Sequence, residues 1–513
     1  MLTGDMLRRS AERFPLKPAI IDGDVRLSFL ELDAAANRFA HALIGTGASK
    51  GAKVAILSRN LPQYGIVFFG AARSGLVLVN VSIQYSPAEL EYVLRKSDAE
   101  ILIVDSQFAQ KVAAVLPNCP AVRTVVTIGS ADLGDSINFD AFVSGQPETE
   151  PQVGLLETDP FSMTYTGGTT GRPKGVLSNH RSRTTTALTV VVEEALDERD
   201  IVAIVTPLFH VAALNIMFQP AVLVGATCVF VTPWSVEGFV SACERERISA
   251  AFMVPTQANM LVRQPDLDPA RLRSWRKLSF AGAPMPDWVQ KALKEKLPHL
   301  ALTQIYGQSE VGVLTSLRDW NLPDKLGSVG RQAFNVDVAL FRTDGVEAAP
   351  GEPGEIASRG DNLMMEYYGE PEQTAAVFRL GGGWLLTGDI GVRDEGGFIT
   401  LIDRAKDMLI SGGENVYPKE IEDVIYGLDA VAECAVFGIP DAKWGEVPAA
   451  YVALKPGAAL DPEVVVQRCQ QQLAEFKRPR VVRIVDEFPK TPIGKIQKNL
   501  LREPYWREKP KKI

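Results

Sequence analysis

The sequence predicts an α/β protein with a large N-terminal domain of layered sheets and helices and a small α+β C-terminal domain. Apolar strand-like segments alternate with helical stretches from residue 1 to about 400, which is typical of α/β layers. Beyond that point a charged link and a glycine turn lead into a short series of strands and helices. We therefore predict domains at 1–402 and 408–513, joined by a hinge at 403–407.

The N-terminal elements are predicted from local patterns. Ser28 and Glu31 have the spacing of a capping box, and the apolar residues that follow recur at helical intervals, so a helix begins here. The segments 53–60 and 99–106 are apolar runs that indicate buried strands. Segment 202–231 is also apolar, but polar residues and prolines interrupt it, which favours buried strands and a helix over a membrane span.

The C-terminal elements follow a simpler order. Apolar runs at 431–439 and 448–454 predict two strands, and a helix is expected to begin at Asp461 and to reach roughly Phe476. A last strand is predicted at 481–485. This order of elements indicates a small α+β domain.

Composition limits the functional classes. The chain has 513 residues, 46% of them hydrophobic, and its net charge of −8 argues against binding nucleic acid along its length. Its five cysteines and four histidines show no zinc spacing, and scattered cysteines fit a reducing compartment. No secretory signal or transmembrane segment is recognised, so we expect a soluble, cytoplasmic protein. Peripheral membrane contact stays open, as does the choice between a monomer and a homodimer.

A glycine- and threonine-rich loop lies in "MTYTGGTTGRPKGVLSNH", residues 163–180. Glycine lets backbone N–H groups approach a phosphate, threonine hydroxyls add donors, and a lysine supplies a point charge. The loop lacks the Gly-Lys-Ser/Thr of a Walker motif, so a flexible connector is the alternative if the loop is taken alone. The candidate phosphate ligands are Thr166, Gly167, Gly168, Thr169, Thr170, Gly171 and Lys174.

Further motifs follow in a fixed order, and together they resemble the adenylate-forming superfamily, which includes acyl- and aryl-CoA synthetases, peptide-synthetase adenylation domains and beetle luciferases. Within it, the chain is most similar to the acyl-CoA synthetases. The motifs are "PLFHV" (207–211), "AGAP" (281–284), "YGQSE" (306–310), "LLTGD" (385–389), "DRAKDMLISGGENVYPKEIE" (403–422) and "PKTPIGKIQK" (489–498).

The resemblance implies a reaction in two steps: ATP and a carboxylic acid form an acyl-adenylate, and a thiol then displaces AMP. Glu310 matches the family's Mg²⁺-binding acid, and Thr170 is a second candidate near the metal. Lys495 matches the lysine that reaches the substrate carboxylate and the α-phosphate during adenylation. A solvated glutamate and a surface lysine are the alternatives when these residues are taken outside their motifs.

The same resemblance implies a nucleotide site. Asp389 and Arg404 match residues that contact the ribose, and a carboxylate suits two hydroxyl donors. Gly282, Ala283, Pro284, Tyr306 and Gly307 match the segments that line the adenine. His210 matches a position beside the acyl carboxylate and the thiol path, where we expect positioning or gating. His41, His180 and His299 are expected to be structural or surface residues.

The C-terminal domain rotates between the half-reactions in this family, with Lys406 at the hinge position. The residues 411–414 would then form a second face beside the pantetheine tunnel. CoA is the expected thiol, while an exposed helix end is the simpler interpretation of Lys477 and Arg478.

The acid is expected to be apolar, and a fatty acid is the first choice. Phe209 and the apolar residues Phe252, Met253 and Val254 favour this, and Trp234 is either a gate or a core residue. The alternatives are an aryl-acid CoA ligase, a stand-alone enzyme that loads a carrier protein or stops at the acyl-adenylate, and a non-catalytic nucleotide-binding protein.

Overall fold

The chain divides into two units, which are described separately. The structure, a computed structural model, describes residues 1–131, 133–166, 173–282, 285–404, 407–411, 414–441, 444–490 and 496–507. Unit 1 comprises Met1–Val338 and Ser358–Leu385, and unit 2 comprises Ala339–Ala357 and Leu386–Ile513. The predicted hinge at 403–407 stays a prediction, because Ala405 and Lys406 lie outside the described residues.

The strands are numbered in chain order. They are β1 (Pro18–Asp22), β2 (Val25–Ser28), β3 (Lys53–Leu57), β4 (Val77–Asn80), β5 (Ala99–Asp105), β6 (Thr124–Ile128), β7 (Ile137–Asn138), β8 (Pro160–Thr166), β9 (Lys174–Asn179), β10 (Ile201–Ile204), β11 (Thr227–Phe230), β12 (Ala250–Met253), β13 (Lys277–Phe280), β14 (Ala301–Gln308), β15 (Gly312–Leu317), β16 (Arg331–Gln332), β17 (Asp337–Phe341), β18 (Pro353–Arg359), β19 (Glu366–Tyr367), β20 (Leu385–Arg393), β21 (Ile399–Arg404), β22 (Leu409–Ser411), β23 (Glu414–Val416), β24 (Val431–Asp441), β25 (Gly445–Leu454) and β26 (Val481–Val485).

The α-helices are numbered in the same way. They are α1 (Thr3–Arg13), α2 (Phe29–Gly45), α3 (Pro62–Ser74), α4 (Pro87–Lys96), α5 (Ala109–Val115), α6 (Phe139–Val143), α7 (His180–Glu193), α8 (Val211–Ala213), α9 (Gln219–Val224), α10 (Val236–Glu246), α11 (Pro255–Val262), α12 (Asp287–Lys296), α13 (Leu322–Lys325), α14 (Pro371–Val377), α15 (Pro418–Tyr426), α16 (Pro462–Gln472) and α17 (Lys498–Trp506).

Unit 1 contains two large sheets. The first has nine strands in the order β16-β15-β14-β13-β12-β10-β11-β1-β2, and the second has eight in the order β19-β9-β8-β4-β3-β5-β6-β7. Neighbouring strands are parallel from β14 through β13, β12, β10 and β11 to β1. The largest core cluster takes side chains from both sheets and from α1, α2, α3 and α9, which indicates that helices pack between the sheets.

Unit 2 contains two smaller sheets. Four strands pair in the order β17-β18-β20-β21, and a five-stranded sheet has the order β23-β22-β25-β24 with β26 beside β25. Helices α15 and α16 contribute apolar side chains to the core of the second sheet. The fold class predicted from the sequence is therefore confirmed, with a large layered α/β part and a smaller part of mixed helices and strands.

Local sequence patterns explain where individual elements begin. The Ser28 side chain accepts a hydrogen bond from the Glu31 N–H, and the Glu31 carboxylate accepts one from the Ser28 N–H at 2.8 Å, so α2 begins at the predicted capping box. Strands β3 and β5 are buried along almost their full length, as strands inside a parallel sheet are.

Segment 202–231 folds into strands and helical turns, as predicted, with β10 and β11 at its ends. No helix in the described part of the chain is long and apolar enough to cross a bilayer. All five cysteines are buried and unpaired.

The predicted helix from Asp461 was too long. Asp461 caps α16 by accepting a hydrogen bond from the Glu463 N–H at 2.9 Å, but the helix ends at Gln472 and not near Phe476. The backbone becomes extended at Leu473, with φ −122° and ψ 145°. The change of direction packs Leu473 and Phe476 against the core of unit 2, so tertiary packing ends the helix before the sequence pattern does.

Candidate active site

The glycine- and threonine-rich loop connects two antiparallel strands. Strands β8 and β9 pair with Thr166 opposite Lys174, so these two residues stand where the loop leaves and rejoins the sheet. A Cβ atom at Gly175 would lie 2.8 Å from the sulfur of Met163 and 3.1 Å from the Tyr165 ring, so a larger residue here would displace side chains of β8. The predicted phosphate ligands Gly167, Gly168, Thr169, Thr170 and Gly171 lie outside the described residues.

A second hairpin carries Glu310. Strands β14 and β15 are antiparallel, and Glu310 lies in the turn between them. A Cβ atom at Gly307 would lie 1.9 Å from the carbonyl oxygen of Gly312, so the hairpin requires glycine at this position. Tyr306, Gly307 and Glu310 thus belong to one hairpin. Gly307 allows β14 and β15 to pair closely next to the turn that carries Glu310.

The short strand β19 connects the two hairpins. On one side, the Met364 N–H donates to the Glu310 carbonyl oxygen at 2.7 Å. On the other side, the N–H groups of Met365 and Tyr368 each donate at 2.8 Å to β9, to the carbonyl oxygens of Leu177 and Gly175 respectively. Residues 364–368 therefore attach the turn of Glu310 to the strand that begins with Lys174.

Tyr367 lies between the two charged candidates. Its hydroxyl donates a hydrogen bond to Glu310 Oε1 at 2.8 Å, and Lys174 Nζ lies 4.8 Å from the centroid of its ring. The side chain is buried, and burial, followed by the nearby Glu310 carboxylate, raises the pKa of the Tyr367 phenol well above its usual range. The hydroxyl is therefore a donor at all physiological pH values.

Sequence reasoning missed Tyr367. The contact with Glu310 joins residues 57 positions apart, and the only local indication was a pair of adjacent tyrosines. Nothing in its spacing connects it to the loop or to the glutamate. Its role depends on β19 joining the edge of the eight-stranded sheet beside β9.

The donor set around Glu310 fits a magnesium ion. Among the residues that the structure describes, no group of three or more His, Cys, Asp or Glu side chains could hold a metal. A metal here would take one carboxylate oxygen from the protein and its other ligands from phosphate and water, which is the arrangement that Mg²⁺ prefers. The Tyr367 hydrogen bond engages Oε1, and a carboxylate has a second oxygen to offer.

The nine-stranded sheet brings several candidates to one edge. Gly282 lies two residues beyond Phe280, and Tyr306 lies two residues beyond Gln304, and these two strand residues are paired in the parallel register of β13 and β14. The carboxyl ends of neighbouring parallel strands are where open α/β sheets bind ligands. Ala283 and Pro284 lie outside the described residues.

His210 follows the carboxyl end of β10 at the same edge. Its Nδ1 accepts a hydrogen bond from the Ala212 N–H at 3.2 Å and thereby caps α8. The preceding segment is held by Asn60, whose amide donates to the Thr206 carbonyl oxygen at 2.9 Å and accepts from the Leu208 N–H at 2.8 Å. The capping bond fixes the orientation of the imidazole, which suits a positioning residue.

The ribose candidates belong to unit 2. Asp389 and Arg404 are directly opposite each other in the antiparallel pair β20 and β21. The Asp389 side chain is buried, and its N–H donates to Thr387 Oγ1 at 3.2 Å. Only the backbone of Arg404 is described, and Lys495 lies outside the described residues.

Comparison with known families gives two matches that together span most of the chain. The family described as AMP-binding enzyme matches residues 7–368. The family described as AMP-binding enzyme C-terminal domain matches residues 420–495.

Individual relatives match over nearly their full lengths. A feruloyl-CoA synthase of Amycolatopsis sp is 37% identical over 96% of this chain and 97% of its own. The long-chain-fatty-acid–CoA ligase FadD13 of Mycobacterium tuberculosis (strain CDC 1551 / Oshkosh) is 35% identical over 99% of each chain. The crystal structure of ATP-bound MatB from Rhodopseudomonas palustris superposes with a TM-score of 0.88 at 28% identity, covering 98% of this chain and 99% of that one.

Proposed function

The chain belongs to the family of AMP-binding enzymes, and we propose that it joins an apolar carboxylic acid, first of all a fatty acid, to coenzyme A. The AMP-forming ligation of an acid to CoA, with ATP as the activating nucleotide, is the chemistry of its full-length relatives. This chain catalyses the same AMP-forming ligation. What we propose is the identity of the acid and the roles of individual residues.

One observation carries the assignment of roles. Lys174, Tyr367 and Glu310 form a contiguous cluster at the point where the glycine- and threonine-rich loop rejoins the sheet. A cation suited to phosphate oxygens and a carboxylate suited to a magnesium ion thus contact the same side chain, which supports these roles. A surface loop without a catalytic role would not require a lysine and a glutamate that contact the same buried tyrosine.

The reaction proceeds in two displacements. One oxygen of the substrate carboxylate bonds to the α-phosphorus of ATP, and the bond from that phosphorus to the bridging oxygen breaks, which releases pyrophosphate. The CoA sulfur then bonds to the acyl carbon, the bond between that carbon and the AMP oxygen breaks, and the thiol proton is lost. Activation is needed because a free carboxylate could expel only oxide, which is a very poor leaving group. The acyl-adenylate carries AMP instead, which leaves readily.

The residues of unit 1 act on the first displacement. Lys174 and the loop that precedes it bind phosphate oxygens and offset the repulsion between the incoming carboxylate and the polyanion. Glu310 would hold Mg²⁺, which supplies charge neutralisation to the phosphates when bound. Tyr306, Gly307 and Gly282, with Ala283 and Pro284, form the adenine wall in this proposal, and His210 positions the acyl carboxylate.

The residues of unit 2 act on the ribose and the transferred group. In this proposal Asp389 and Arg404 bind the ribose hydroxyls, and Lys495 reaches the carboxylate and the α-phosphate during adenylation. The segment 408–513 is a lid domain that turns about a hinge at 403–407 between the two displacements. Separate measurement of the half-reactions tests these roles.

Two acid classes have specific support. The relative FadD13 is named for long-chain fatty acids. In addition, the buried apolar residues Phe252 and Met253 stand at the carboxyl end of β12, in the same sheet as β10, whose carboxyl end leads to His210. A feruloyl-type aryl acid is the second candidate, because the relative named for that substrate is 37% identical to this chain.

A substrate panel decides between them. The purified protein is incubated with ATP, Mg²⁺, CoA and one acid at a time, from fatty acids of increasing length to ferulic, benzoic and indoleacetic acids, and pyrophosphate release and thioester are both measured. If kcat/KM is highest with a fatty acid, the result supports a fatty-acid substrate. If kcat/KM is highest with ferulate, the result supports an aryl-acid substrate. If no acid supports pyrophosphate release or ATP–pyrophosphate exchange, the proposed activation is wrong.

Location and assembly complete the proposal. A cytoplasmic location is supported by five buried, unpaired cysteines, which suit a reducing compartment. We also propose that the protein is a monomer or a homodimer. Cell fractionation and light scattering coupled to size-exclusion chromatography measure these two properties.

A further inference from the structure

We propose that Tyr367 is a positioning residue of the nucleotide site, whose hydroxyl fixes the Glu310 carboxylate and whose ring holds the Lys174 ammonium apart from that carboxylate. The inference rests on the proposed function, because it concerns how Mg²⁺ and ATP are received. It assigns to Tyr367 two separable contacts, one through the hydroxyl and one through the ring.

The first contact orients a flexible side chain. Glu310 lies in a turn, where its carboxylate has several rotamers available. The 2.8 Å hydrogen bond from the Tyr367 hydroxyl holds Oε1 and leaves the other oxygen to a metal. Carboxylates that bind metals depend on such outer hydrogen bonds, and the loss of one typically weakens metal binding by about 10–100-fold.

The second contact keeps two opposite charges separate. The Tyr367 side chain contacts both residues, Lys174 through the face of its ring and Glu310 through its hydroxyl. In this proposal, removal of the ring lets the ammonium move toward the carboxylate. The ring instead holds the ammonium over its negative face, so the cation stays available for phosphate and the carboxylate for metal.

The backbone makes this placement specific to one tyrosine. Tyr367 is the last residue of β19, and Tyr368 follows it in a turn, where its side chain has different partners. The Tyr368 hydroxyl donates to Asp98 at 2.9 Å, and its ring lies against Lys53, with Nζ 4.7 Å from the centroid. Tyr368 therefore makes the same two kinds of contact as Tyr367, with an acid and a lysine that have no part in the proposed site.

The experiment compares Tyr367→Phe, Tyr367→Leu and the matched control Tyr368→Phe in the full-length protein. Isothermal titration calorimetry measures the Kd for ATP without metal and with Mg²⁺, in the absence of acid and CoA. For Tyr367→Phe we expect an unchanged Kd for metal-free ATP. We expect the factor by which Mg²⁺ tightens ATP binding to be about tenfold smaller than in the wild type. For Tyr367→Leu we expect, in addition, that metal-free ATP binds about threefold more weakly.

A double-mutant cycle shows whether Tyr367 acts through Glu310. If it does, Tyr367→Phe causes no further loss of the Mg²⁺ effect in a Glu310→Gln background. An equal loss in both backgrounds, or a Tyr367→Phe protein that behaves like Tyr368→Phe, overturns the proposal. Tyr367→Phe retains the buried ring, so the cycle stays decisive even where Tyr367→Leu does not fold.

The failure of this inference differs from the failure of the proposed function. A wild-type protein that shows no ATP–pyrophosphate exchange with any acid contradicts the function. A wild-type protein that exchanges normally, together with a Tyr367→Phe variant whose Mg²⁺ dependence is unchanged, contradicts only the role of Tyr367.

Discussion

At the scale of single residues, the site depends on backbone shape as much as on charge. Glu310 reaches its place because Gly307 lets β14 and β15 close beneath the turn, and Tyr367 then holds the carboxylate by one hydrogen bond. The charged residues are recognisable in the sequence, whereas the glycine and the tyrosine that position Glu310 act through contacts. Substitutions of the positioning residues are therefore informative.

Gly307→Ala should destabilise the protein and reduce its activity together. The added methyl group overlaps the carbonyl oxygen of Gly312, and relieving the clash moves the turn that carries Glu310. We expect a cost of roughly 2–3 kcal/mol and a loss of ATP–pyrophosphate exchange of at least about tenfold. Differential scanning fluorimetry and the exchange assay measure the two effects. Gly154→Ala is the control, because a Cβ atom there meets nothing within 4 Å; identical behaviour of the two variants would contradict the prediction.

His180 should make the stability of the protein depend on pH. It is buried against Phe161, with ring centroids 4.9 Å apart, and burial lowers the pKa of its imidazole from 6.5 to about 4. The native state keeps it neutral while the unfolded chain binds a proton below pH 6.5, so stability falls as pH decreases from about 6.5 to 4.

The size of this effect is up to about 3 kcal/mol. Thermal unfolding midpoints between pH 8 and pH 4 measure it, and His180→Gln should flatten the dependence in that window while lowering the midpoint at pH 8. A variant whose midpoint falls with pH as steeply as that of the wild type would show that other groups are responsible.

At the scale of elements, the two ends of the strands in the nine-stranded sheet carry different kinds of residues. The carboxyl ends of β10 and β13 lead to His210 and Gly282, and Tyr306 lies near the carboxyl end of β14. At the opposite end, Asp200 accepts hydrogen bonds from Lys277 Nζ at 2.6 Å and from Ser249 Oγ at 2.7 Å, and thereby ties together the starts of β10, β12 and β13. We assign this buried cluster to stability and the other end to ligand binding.

Asp200→Asn should destabilise the protein without changing catalysis by the folded fraction. The substitution leaves Lys277 without the charge it faces, and breaking a buried pair on one side costs roughly 3 kcal/mol. We expect a lower unfolding midpoint and, at a temperature well below it, an unchanged KM for ATP. Arg199→Ala is the control on the same loop, because its ion pair with Asp197 is exposed and worth less than about 1 kcal/mol. A shift in KM for Asp200→Asn alone would refute the assignment to stability.

At the scale of the whole molecule, the proposed chemistry needs residues from both units. Lys174 and Glu310 belong to unit 1, while Asp389 and Lys495 belong to unit 2. The family resemblance implies that the second unit rotates about a hinge between the two displacements and so contributes different residues to each. Separating the half-reactions is therefore the test at this scale.

Lys495→Ala should abolish adenylation and largely spare thioester formation from supplied acyl-adenylate. The lysine is proposed to meet the carboxylate and the α-phosphate in the first displacement alone. Pyrophosphate release and consumption of synthetic acyl-adenylate by CoA measure the two steps. Lys490→Ala is the matched control, because Lys490 pairs with Glu433 at 2.8 Å and has no proposed role in catalysis. Equal loss in both steps for Lys495→Ala would rule out a role confined to adenylation.

The sequence by itself determined the fold class, several of the elements and the family chemistry. Amphipathic and apolar periods specify strands and helices locally, as at the capping box of α2, and ordered motifs carry the residues for which catalytic roles are proposed, such as Lys174 and Glu310. These features are encoded within short stretches of chain, so one sequence suffices to recognise them.

Only the tertiary structure decided how those stretches meet. The end of α16, the cluster around Asp200 and the contacts of Tyr367 all depend on segments that are distant in sequence, and packing and sheet register bring them together. Tyr367 contacts Glu310 because β19 joins β9 at the sheet edge. Its neighbour Tyr368 has nearly the same sequence context but contacts Asp98 and Lys53 instead.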